Sequence, residues 1–399
     1  MQTEKGASLV QIKALNRRQL RRAIYRQGPV ARNRLARELG VSLPTVTTSV
    51  AAMLEEGLLT ETPDETAPGS LGGRPAMLVD FRPEAGFAVG VELGPYGTHA
   101  CLTDLRGTVR CQTQGPPPPA DYNQMLADTA RLLEPLCAAA PEGRLLGVGI
   151  GLPGFVESGR GVLRTGLQES WTGRPLADDL AQALGRPVWA DNNVRMRALW
   201  RDMLSGEPAP ATFAYLFVSK GIACPLMIHN DLLAGARATA GEIGHTILQP
   251  GGPVCPGCGR RGCLEALAGE AALTARAAGL LAAGKAPALA ARLAGRASDM
   301  ADLLAVRDEE PAVAALLDEA VEALGLAAAN LFNFIGPDLL AADGRIFAPA
   351  AHRERFLQVL RANLFGLSAQ EAPVEFMPDA PLTGALGAAA HVIRHTLLA

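Results

Sequence analysis

Short apolar runs alternate with amphipathic segments from residue 86 onward, and this alternation restricts the fold more than any other feature of the sequence. The runs have the length and composition of strands that are buried on at least one face, and they cover residues 86–93, 99–105, 144–152, 187–191 and 211–219. Residues 124–140 and 176–184 between them are typical of helices. Strands that are connected by helices predict an α/β architecture.

The 399 residues exceed what one hydrophobic core usually organises, about 250–300 residues, so we expect two or more compact units. No segment reaches about 18 uninterrupted apolar residues, and the N-terminus lacks the apolar stretch of a signal peptide. These features predict a cytoplasmic protein without a membrane partner.

Charge is distributed unevenly along the chain. The whole sequence has a net charge of −3, but residues 1–40 contain ten basic and two acidic residues, a net charge of +8, which leaves −11 for the remainder. A basic segment on an acidic body suggests that nucleic acid is the partner of the N-terminal segment.

Residues 16–60 have the pattern of three helices with the spacing of a helix-turn-helix. Gly40 permits the tight turn, Ser42 is placed to cap the third helix, and Pro44 suits its first turn. The short polar residues at the start of this helix are suited to contact base edges, and the residues that we predict to contact DNA there are Ser42, Pro44, Thr45, Thr47, Thr48 and Ser49. The alternative is a three-helix protein-interaction module with a solvated arginine face.

A turn-rich segment follows these helices. Residues 67–75 contain three glycines and two prolines, and residues 76–81 form a short strand pattern. Residues 58–81 therefore predict the wing of a winged helix-turn-helix. Arg74 within this wing, together with the arginines near the N-terminus, is the expected contact to DNA phosphates or to the minor groove.

Three cysteines lie close together in the second half of the chain. Cys255, Cys258 and Cys263, with His245 upstream, form a ligand set for a closed tetrahedral zinc site, and the surrounding glycines let the backbone wrap a small ion. Because all four positions are filled by protein ligands, a structural role is favoured over a catalytic one. The alternative is three unconnected thiols.

At these residues the sequence resembles the ROK family of repressors, open reading frames and sugar kinases. The resemblance rests on Glu242-Ile-Gly-His245, on the cysteine loop that ends at Glu265, and on the glycine-rich segment 147–154. In the family loop one residue separates the first two cysteines, whereas here two residues separate them. The N-terminal winged helix places the chain with the repressor branch, which includes xylose-type and N-acetylglucosamine-type repressors.

The resemblance implies an actin-like, sugar-kinase (ribonuclease H-like) fold with two α/β lobes and a sugar cleft between them. The domains would be a winged helix-turn-helix at 1–82, a first lobe at 83–200 completed by a C-terminal helix at 382–399, and a second lobe at 201–381 that carries the zinc loop and a helical insert. By resemblance, the residues that would hold sugar hydroxyls are Asn192, Asn193, Glu242, His245 and Glu265.

The positions that match the family's kinase machinery have changed. The first phosphate loop reads Glu92-Leu-Gly-Pro95-Tyr96, the second contains Lys220 and Pro225, and Asp343-Gly344 replaces the Gly-Gly on the adenosine side. Asn193 stands at the catalytic aspartate position, and an amide is not a base near neutral pH. The resemblance therefore predicts no enzymatic activity.

These observations together predict a DNA-binding repressor that senses a sugar or sugar derivative. Symmetric operator DNA favours a homodimer, with a tetramer as a possible further assembly. Two alternatives stay open at this point: a sugar kinase with a fused DNA-binding domain, and a repressor that acts without a small ligand.

Overall fold

The computed structural model describes residues 9–64, 76–157, 161–166, 168–235 and 237–399. The chain divides into two compact units, one formed by Met1–Pro208 with Leu382–Ala399 and the other by Ala209–Pro381. Among the described residues, no helix is both long and apolar enough to cross a lipid bilayer.

The N-terminal part of the first unit, which we call the head, contains three helices and a small antiparallel sheet. Its elements are α1 (Leu9–Gln27), β1 (Val30–Ala31), α2 (Arg32–Leu39), α3 (Leu43–Glu55), β2 (Leu59–Pro63) and β3 (Met77–Phe81), with strand order β1-β3-β2. Gly40 ends α2 with φ of 64°, which confirms the predicted tight turn. Helix α1 begins before residue 16, where the predicted three-helix pattern starts, because residues 9–16 contain neither glycine nor proline to stop it.

A five-stranded sheet follows the head in the same unit. Its elements are β4 (Phe87–Gly94), β5 (Gly97–Asp104), β6 (Val109–Gly115), α4 (Tyr122–Ala139), β7 (Leu145–Leu152), β8 (Gly154–Glu157), β9 (Val162–Gly166), α5 (Leu176–Leu184), β10 (Val188–Asn192) and α6 (Asn193–Met203). The strand order is β10-β7-β4-β5-β6. Strands β10, β7 and β4 run parallel to one another, and β5 is antiparallel to both β4 and β6. Strands β8 and β9 form a separate hairpin that the apolar pattern did not predict.

The second unit is built around another mixed sheet. Its elements are β11 (Phe213–Val218), β12 (Ile222–Ala223), β13 (Leu226–Ile228), β14 (Asp231–Leu232), α7 (Leu264–Ala268), α8 (Glu270–Ala282), α9 (Pro287–Leu293), α10 (Met300–Val306), α11 (Pro311–Ile335), β15 (Leu340–Asp343), α12 (Ala350–Ala362) and β16 (Val374–Phe376). The strand order is β14-β13-β11-β15-β16, with β12 paired to β11. Helix α11 forms a large part of the core with one apolar face, which includes the buried Val313, Leu317 and Leu324.

The last helix, α13 (Thr383–Leu397), returns to the first unit and packs on its five-stranded sheet. Gly90 and Gly149 permit this contact, because a Cβ atom at either position would collide with the backbone carbonyl of Ala385 or Ala388. The helix backbone can therefore lie directly on β4 and β7. The observed architecture confirms the predicted α/β class.

Candidate functional site

The N-terminus of α3 is held by a side-chain cap. The backbone N–H of Thr45 donates to Oγ of Ser42 at 3.4 Å, and this Oγ lies 2.8 Å from Oγ1 of Thr45. The predicted cap is therefore present. The cap involves the hydroxyl groups of Ser42 and Thr45, so these two side chains hold the first turn of α3 in place.

The remaining side chains at the start of α3 divide into a buried and an exposed set. Val46, Val50 and Met53 face the core of the head. Ser49 is half-buried, and the exposed residues are Leu43, Pro44, Thr47, Thr48 and Ala51. Of the residues predicted to contact DNA, Pro44, Thr47 and Thr48 thus lie on one solvent-facing surface of a helix-turn-helix.

Most arginines of the head are paired with acidic residues. The pairs are Arg17 and Arg21 with Glu56, Arg26 with Asp202, Arg32 with Glu61, and Arg34 with Glu38. Acidic residues, most of them distant in sequence, thus neutralise much of the basic segment, and the predicted phosphate contacts of the N-terminal arginines stay a prediction. Lys13, Arg18 and Arg37 are exposed, and no ion pair is described for them within the part of the chain that the structure covers.

The predicted wing is present as the antiparallel pair of β2 with β3, which is in register from Leu59 opposite Phe81 to Pro63 opposite Met77. The tip of this hairpin, residues 65–75, lies outside the described residues. The predicted contact at Arg74 falls in this segment, so it stays a prediction.

The head is fixed to the sheet of the first unit through the β5–β6 turn. Tyr25 on α1 is buried, and its hydroxyl donates to the carbonyl of Leu105 at 2.5 Å. The guanidinium of Arg106 stacks on the Tyr25 ring at 4.8 Å from the ring centroid, donates to the Tyr25 carbonyl at 2.6 Å, and pairs with Asp80 on β3. Arg106 thereby joins the turn to both α1 and the wing.

A second set of contacts joins α1 to helices α6 and α13. The guanidinium of Arg26 lies 3.1 Å from the carboxylate of Asp202, whose side chain is only 4% exposed near the end of α6. Nε of Arg22 donates to the carbonyl of Leu398 at 2.8 Å. Burial raises the pKa of the Asp202 carboxyl, and the charge of Arg26 opposes this effect.

The four predicted metal ligands come together in the second unit. The ligand atoms of His245, Cys255, Cys258 and Cys263 all lie within 4.8 Å of one another. Sγ of Cys258 is 3.6 Å from Sγ of Cys263, and Sγ of Cys255 is 3.9 Å from Nδ1 of His245. A tetrahedral zinc ion with Zn–S bonds of about 2.3 Å requires S–S edges of about 3.8 Å. The cluster therefore has the chemistry and the dimensions of a four-coordinate metal site.

The thiols of this cluster lie in different environments. Burial raises the pKa of the Cys255 thiol to about 12 and also raises that of Cys263. Hydrogen bonding from the backbone of Arg260 lowers the pKa of the exposed Cys258 thiol. The loop thus has one thiol at the surface and two inside.

Glu265 on α7 connects the cysteine loop, residues 255–263, with the start of β12. Its Oε2 accepts a hydrogen bond from the N–H of Ile222 at 3.1 Å, and Sγ of Cys255 lies 3.5 Å from its Oε1. Gly257 lies so close that a Cβ atom there would collide with Oε1 of Glu265 and contact the ring of His245. Glu265 is therefore buried between two loops, and the structure places it beside His245.

Glu242 is half-buried and precedes the 3₁₀ turn Ile243–His245. Burial raises the pKa of its carboxyl, the charge of His245 lowers it, and the charge of Glu265 raises it again. Glu242, His245 and Glu265 thus form one electrostatically coupled group. Among the described residues, the carboxylate of Glu242 has no hydrogen-bonding partner.

Asn192 and Asn193 lie in the first unit, where β10 ends and α6 begins. The Asn192 side chain caps α6 by accepting from the N–H groups of Val194 and Arg195, and its Nδ2 donates to the carbonyl of Gly154 at 2.9 Å. Nδ2 of Asn193 donates to Oε1 of the buried Glu92 at 3.0 Å. Both side chains have partners inside the unit.

The carboxylate of Glu92, the first residue of the segment 92–96, is neutralised internally. Arg197 on α6 lies 2.9 Å from Oε2 of Glu92, and both side chains are largely buried. Gly384 packs so closely that any side chain there would collide with this carboxylate. Pro95 and Tyr96 form the two-residue turn that follows, between β4 and β5.

Side chains at and beside the Asp343-Gly344 segment form hydrogen bonds within the second unit. The Tyr215 hydroxyl donates to Oδ2 of Asp343 at 2.7 Å. Arg345 donates two hydrogen bonds, of 3.1 and 2.7 Å, to the buried carboxylate of Glu270 at the start of α8. These four side chains are therefore occupied by hydrogen bonds to one another.

Three long-range contacts were not predicted from sequence: Arg106 with Tyr25, Asp202 with Arg26, and Arg197 with Glu92. Each joins residues that are at least 80 positions apart. A sequence signal for the last two was the run of charged residues in the eleven-residue helix α6, which contains three arginines and Asp202.

Comparison with known proteins adds an independent line of evidence. A sequence model described as "ROK family" matches residues 88–394. The xylose repressor of Bacillus subtilis is 28% identical over 268 residues, which cover 66% of this chain and 67% of the repressor. A solved ROK family transcriptional regulator, described as a homolog of the E. coli MLC protein, superposes with a TM-score of 0.80 at 22% identity and covers 97% of this chain and 98% of its own. The ROK hexokinase of Thermus thermophilus, at 29% identity and a TM-score of 0.64, covers 76% of this chain and 97% of its own.

Proposed function

This chain belongs to the ROK family, and we propose that it is a DNA-binding transcriptional repressor whose affinity for its operator is controlled by a sugar or sugar derivative. The winged helix-turn-helix head with its exposed α3 surface is the observation that carries the proposal. In addition, the similar hexokinase spans about three quarters of the chain, whereas the similar transcriptional regulator spans nearly all of it. The relative from Bacillus subtilis is named a xylose repressor, which supports a sugar as the effector.

We assign the effector contacts to the residues predicted from sequence, with Glu242 as the main contact on the second unit. Its half-buried carboxylate is free of hydrogen-bonding partners among the described residues, and a carboxylate accepts hydrogen bonds from vicinal hydroxyls. His245 contributes its remaining ring nitrogen, and Glu265 orients the surrounding loops. In the first unit, Asn192 and Asn193 at the start of α6 stay predicted contacts, and both side chains also form hydrogen bonds within that unit.

The metal cluster suits zinc in a structural role. His245, Cys255, Cys258 and Cys263 would hold the ion and leave no position for water. With zinc bound, the cysteine loop would be held rigidly against the 3₁₀ turn Ile243–His245 and against the start of α7. The ion would thereby fix the orientation of the His245 ring toward the effector.

Kinase activity is not part of the proposal. Transfer of a phosphoryl group requires a base for the sugar hydroxyl and room for metal-bound phosphates. Asn193 cannot act as that base, Glu92 is neutralised by Arg197, and Pro95 lacks a backbone donor for phosphate.

The experiment that tests the proposal is a thermal-shift screen of mono- and disaccharides on the full-length protein. Sugars that stabilise it are then added to a complex with a DNA duplex selected from a randomised pool. We expect at least one sugar to raise the melting temperature and change DNA affinity, and Glu242→Gln to remove both effects. Asp231→Asn, at an exposed position of the same unit, is the matched control.

Two results would favour the alternatives. Turnover of ATP with hexoses, pentoses or N-acetyl sugars that disappears in Glu242→Gln would identify a sugar kinase. DNA binding without stabilisation by any sugar would identify a ligand-independent repressor. Light scattering of the protein with and without DNA tests the proposed homodimer against a tetramer.

Helix α6 connects the predicted effector contacts of the first unit with the head. It begins at the proposed contacts Asn192 and Asn193, extends over about 16 Å, and carries Asp202 in its last turn against Arg26 of α1. We expect Asp202→Asn to retain sugar binding and DNA binding but to reduce the sugar-induced change in DNA affinity several-fold, because the coupling of two sites typically amounts to about 5–150-fold. DNA titrations with and without sugar give two dissociation constants, and their ratio is the sugar-induced change in affinity.

Asp128→Asn is the control for this prediction, because Asp128 is partly exposed on α4 and pairs only with the nearby Arg131 among its described ion pairs. An unchanged ratio in Asp202→Asn would show that α6 does not transmit the signal through this pair.

A further inference from the structure

The exposed surface of the first two and a half turns of α3, residues 43–51, consists mainly of carbon atoms. The exposed charged residue of this helix, Glu55, lies in its last turn. The surface of residues 43–51 presents Leu43, which is 48% exposed, and next to it Pro44, Thr47, Thr48 and Ala51. On a helix these positions follow one another at intervals of three and four residues, so they share one face. The face therefore offers a leucine side chain, a proline ring and three methyl groups, with two threonine hydroxyls as its side-chain polar groups.

The side chains that read bases by paired hydrogen bonds are absent from this helix. Guanine is most often recognised by arginine or lysine and adenine by asparagine or glutamine. Residues 41–59 contain none of these four types and no histidine. The Ser42 and Thr45 hydroxyls are engaged in the helix cap. Hydrogen bonding alone thus gives α3 little ability to distinguish base pairs.

Apolar side chains do distinguish one base in the major groove. Thymine carries a C5-methyl group there, whereas cytosine carries a hydrogen at that position, and alanine, threonine methyl groups and other apolar side chains pack against the thymine methyl. The carbon-rich face of α3 is complementary to such methyl groups.

We infer that α3 recognises its operator through thymine methyl groups, with Leu43, Thr47 and Ala51 as the main specificity-determining residues. This inference rests on the proposed function, because it requires the head to bind DNA in the major groove. Phosphate contacts by the remaining basic residues then supply affinity and orientation, and the thymine methyl groups supply the sequence preference.

The test begins with full-length protein and a duplex selected from a randomised pool. Each thymine of the selected duplex is replaced in turn by deoxyuridine, which removes the methyl group and keeps every hydrogen-bonding atom. We expect the dissociation constant to rise roughly three- to fivefold at each contacted position, the amount that corresponds to one buried methyl group. Replacement of cytosine by 5-methylcytosine at uncontacted positions controls for general effects of base modification.

Two substitutions separate the methyl group of Thr47 from its hydroxyl. Thr47→Val keeps a methyl group at the same place and removes the hydroxyl, whereas Thr47→Ser does the reverse. We expect Thr47→Val to bind the thymine duplex as well as the native protein does. Thr47→Ser is expected to bind it about threefold or more weakly and to lose sensitivity to deoxyuridine at the position it contacts.

The other outcomes are equally informative. If deoxyuridine has no effect at any position while Thr47→Val abolishes sequence preference, α3 reads bases by hydrogen bonding and the inference is wrong. If the pool yields DNA binding without any sequence preference, α3 reads no base, and the inference fails while DNA binding stands. If no DNA is bound at all, the proposed function itself fails.

Discussion

Cys258→Ala is expected to abolish stoichiometric zinc binding and to lower the melting temperature of the protein by roughly 10 °C or more. The Cys258 side chain is exposed, so its truncation leaves no cavity in the core, and lost stability reports on the metal. Structural zinc contributes about 10 kcal/mol or more to isolated zinc-finger peptides. In a domain of this size each 1 kcal/mol corresponds to roughly 2–4 °C, so even a fraction of that energy gives a large shift.

Metal analysis of the purified protein and thermal denaturation measure the two effects. Cys111→Ala is the matched control, because Cys111 is half-buried and lies on β6 outside the cluster. It should retain one zinc per chain. A Cys258→Ala variant with native stability, together with sugar binding by the metal-free native protein, would contradict the structural role.

Operator binding is expected to weaken about a thousandfold between 50 and 200 mM salt. Lys13, Arg18 and Arg37 are the exposed basic residues of the head for which no ion pair is described among the covered residues, and a dimer presents each of them twice. About six phosphate contacts displace enough counterions to produce a change of this size, with a slope of about −5 in a plot of log K against log salt concentration.

Arg37→Gln removes two of these contacts per dimer, so we expect the slope to become less steep by about 2. Arg131→Gln serves as the control, since Arg131 is 74% exposed but belongs to α4, which is not part of the head. Fluorescence anisotropy at a series of salt concentrations measures both slopes. An affinity that does not respond to salt would contradict DNA binding by the head.

The helix-turn-helix could be predicted because its signals are local. A glycine that accepts positive φ, a serine that caps the next helix and a proline in the first turn all act within a few residues of their own position. Local signals also predicted the strands at 86–93 and 144–152. The first run differs from β4 by one residue at each end, and the second differs from β7 by one residue at its start.

The metal ligands were predictable for a different reason. Thiols and an imidazole that converge on one ion are chemically rare, so their presence within about twenty residues indicates the site even without the fold. The spacing of the metal ligands did not predict where the carboxylate of Glu265 lies. Its carboxylate is buried between two loops, and that position depends on the N–H of Ile222 from a separate hairpin.

The amino-acid sequence by itself determined the α/β class, the helix-turn-helix and the ligand set of the metal cluster, because short-range sterics, capping and ligand chemistry specify them. Only the tertiary structure decided which arginines of the head pair with acidic residues, how the head is fixed to its neighbouring sheet, and how Glu92 is neutralised by Arg197. Those outcomes depend on ion pairs and hydrogen bonds between residues far apart in the chain. Folding alone brings such groups within the few ångströms over which they interact strongly.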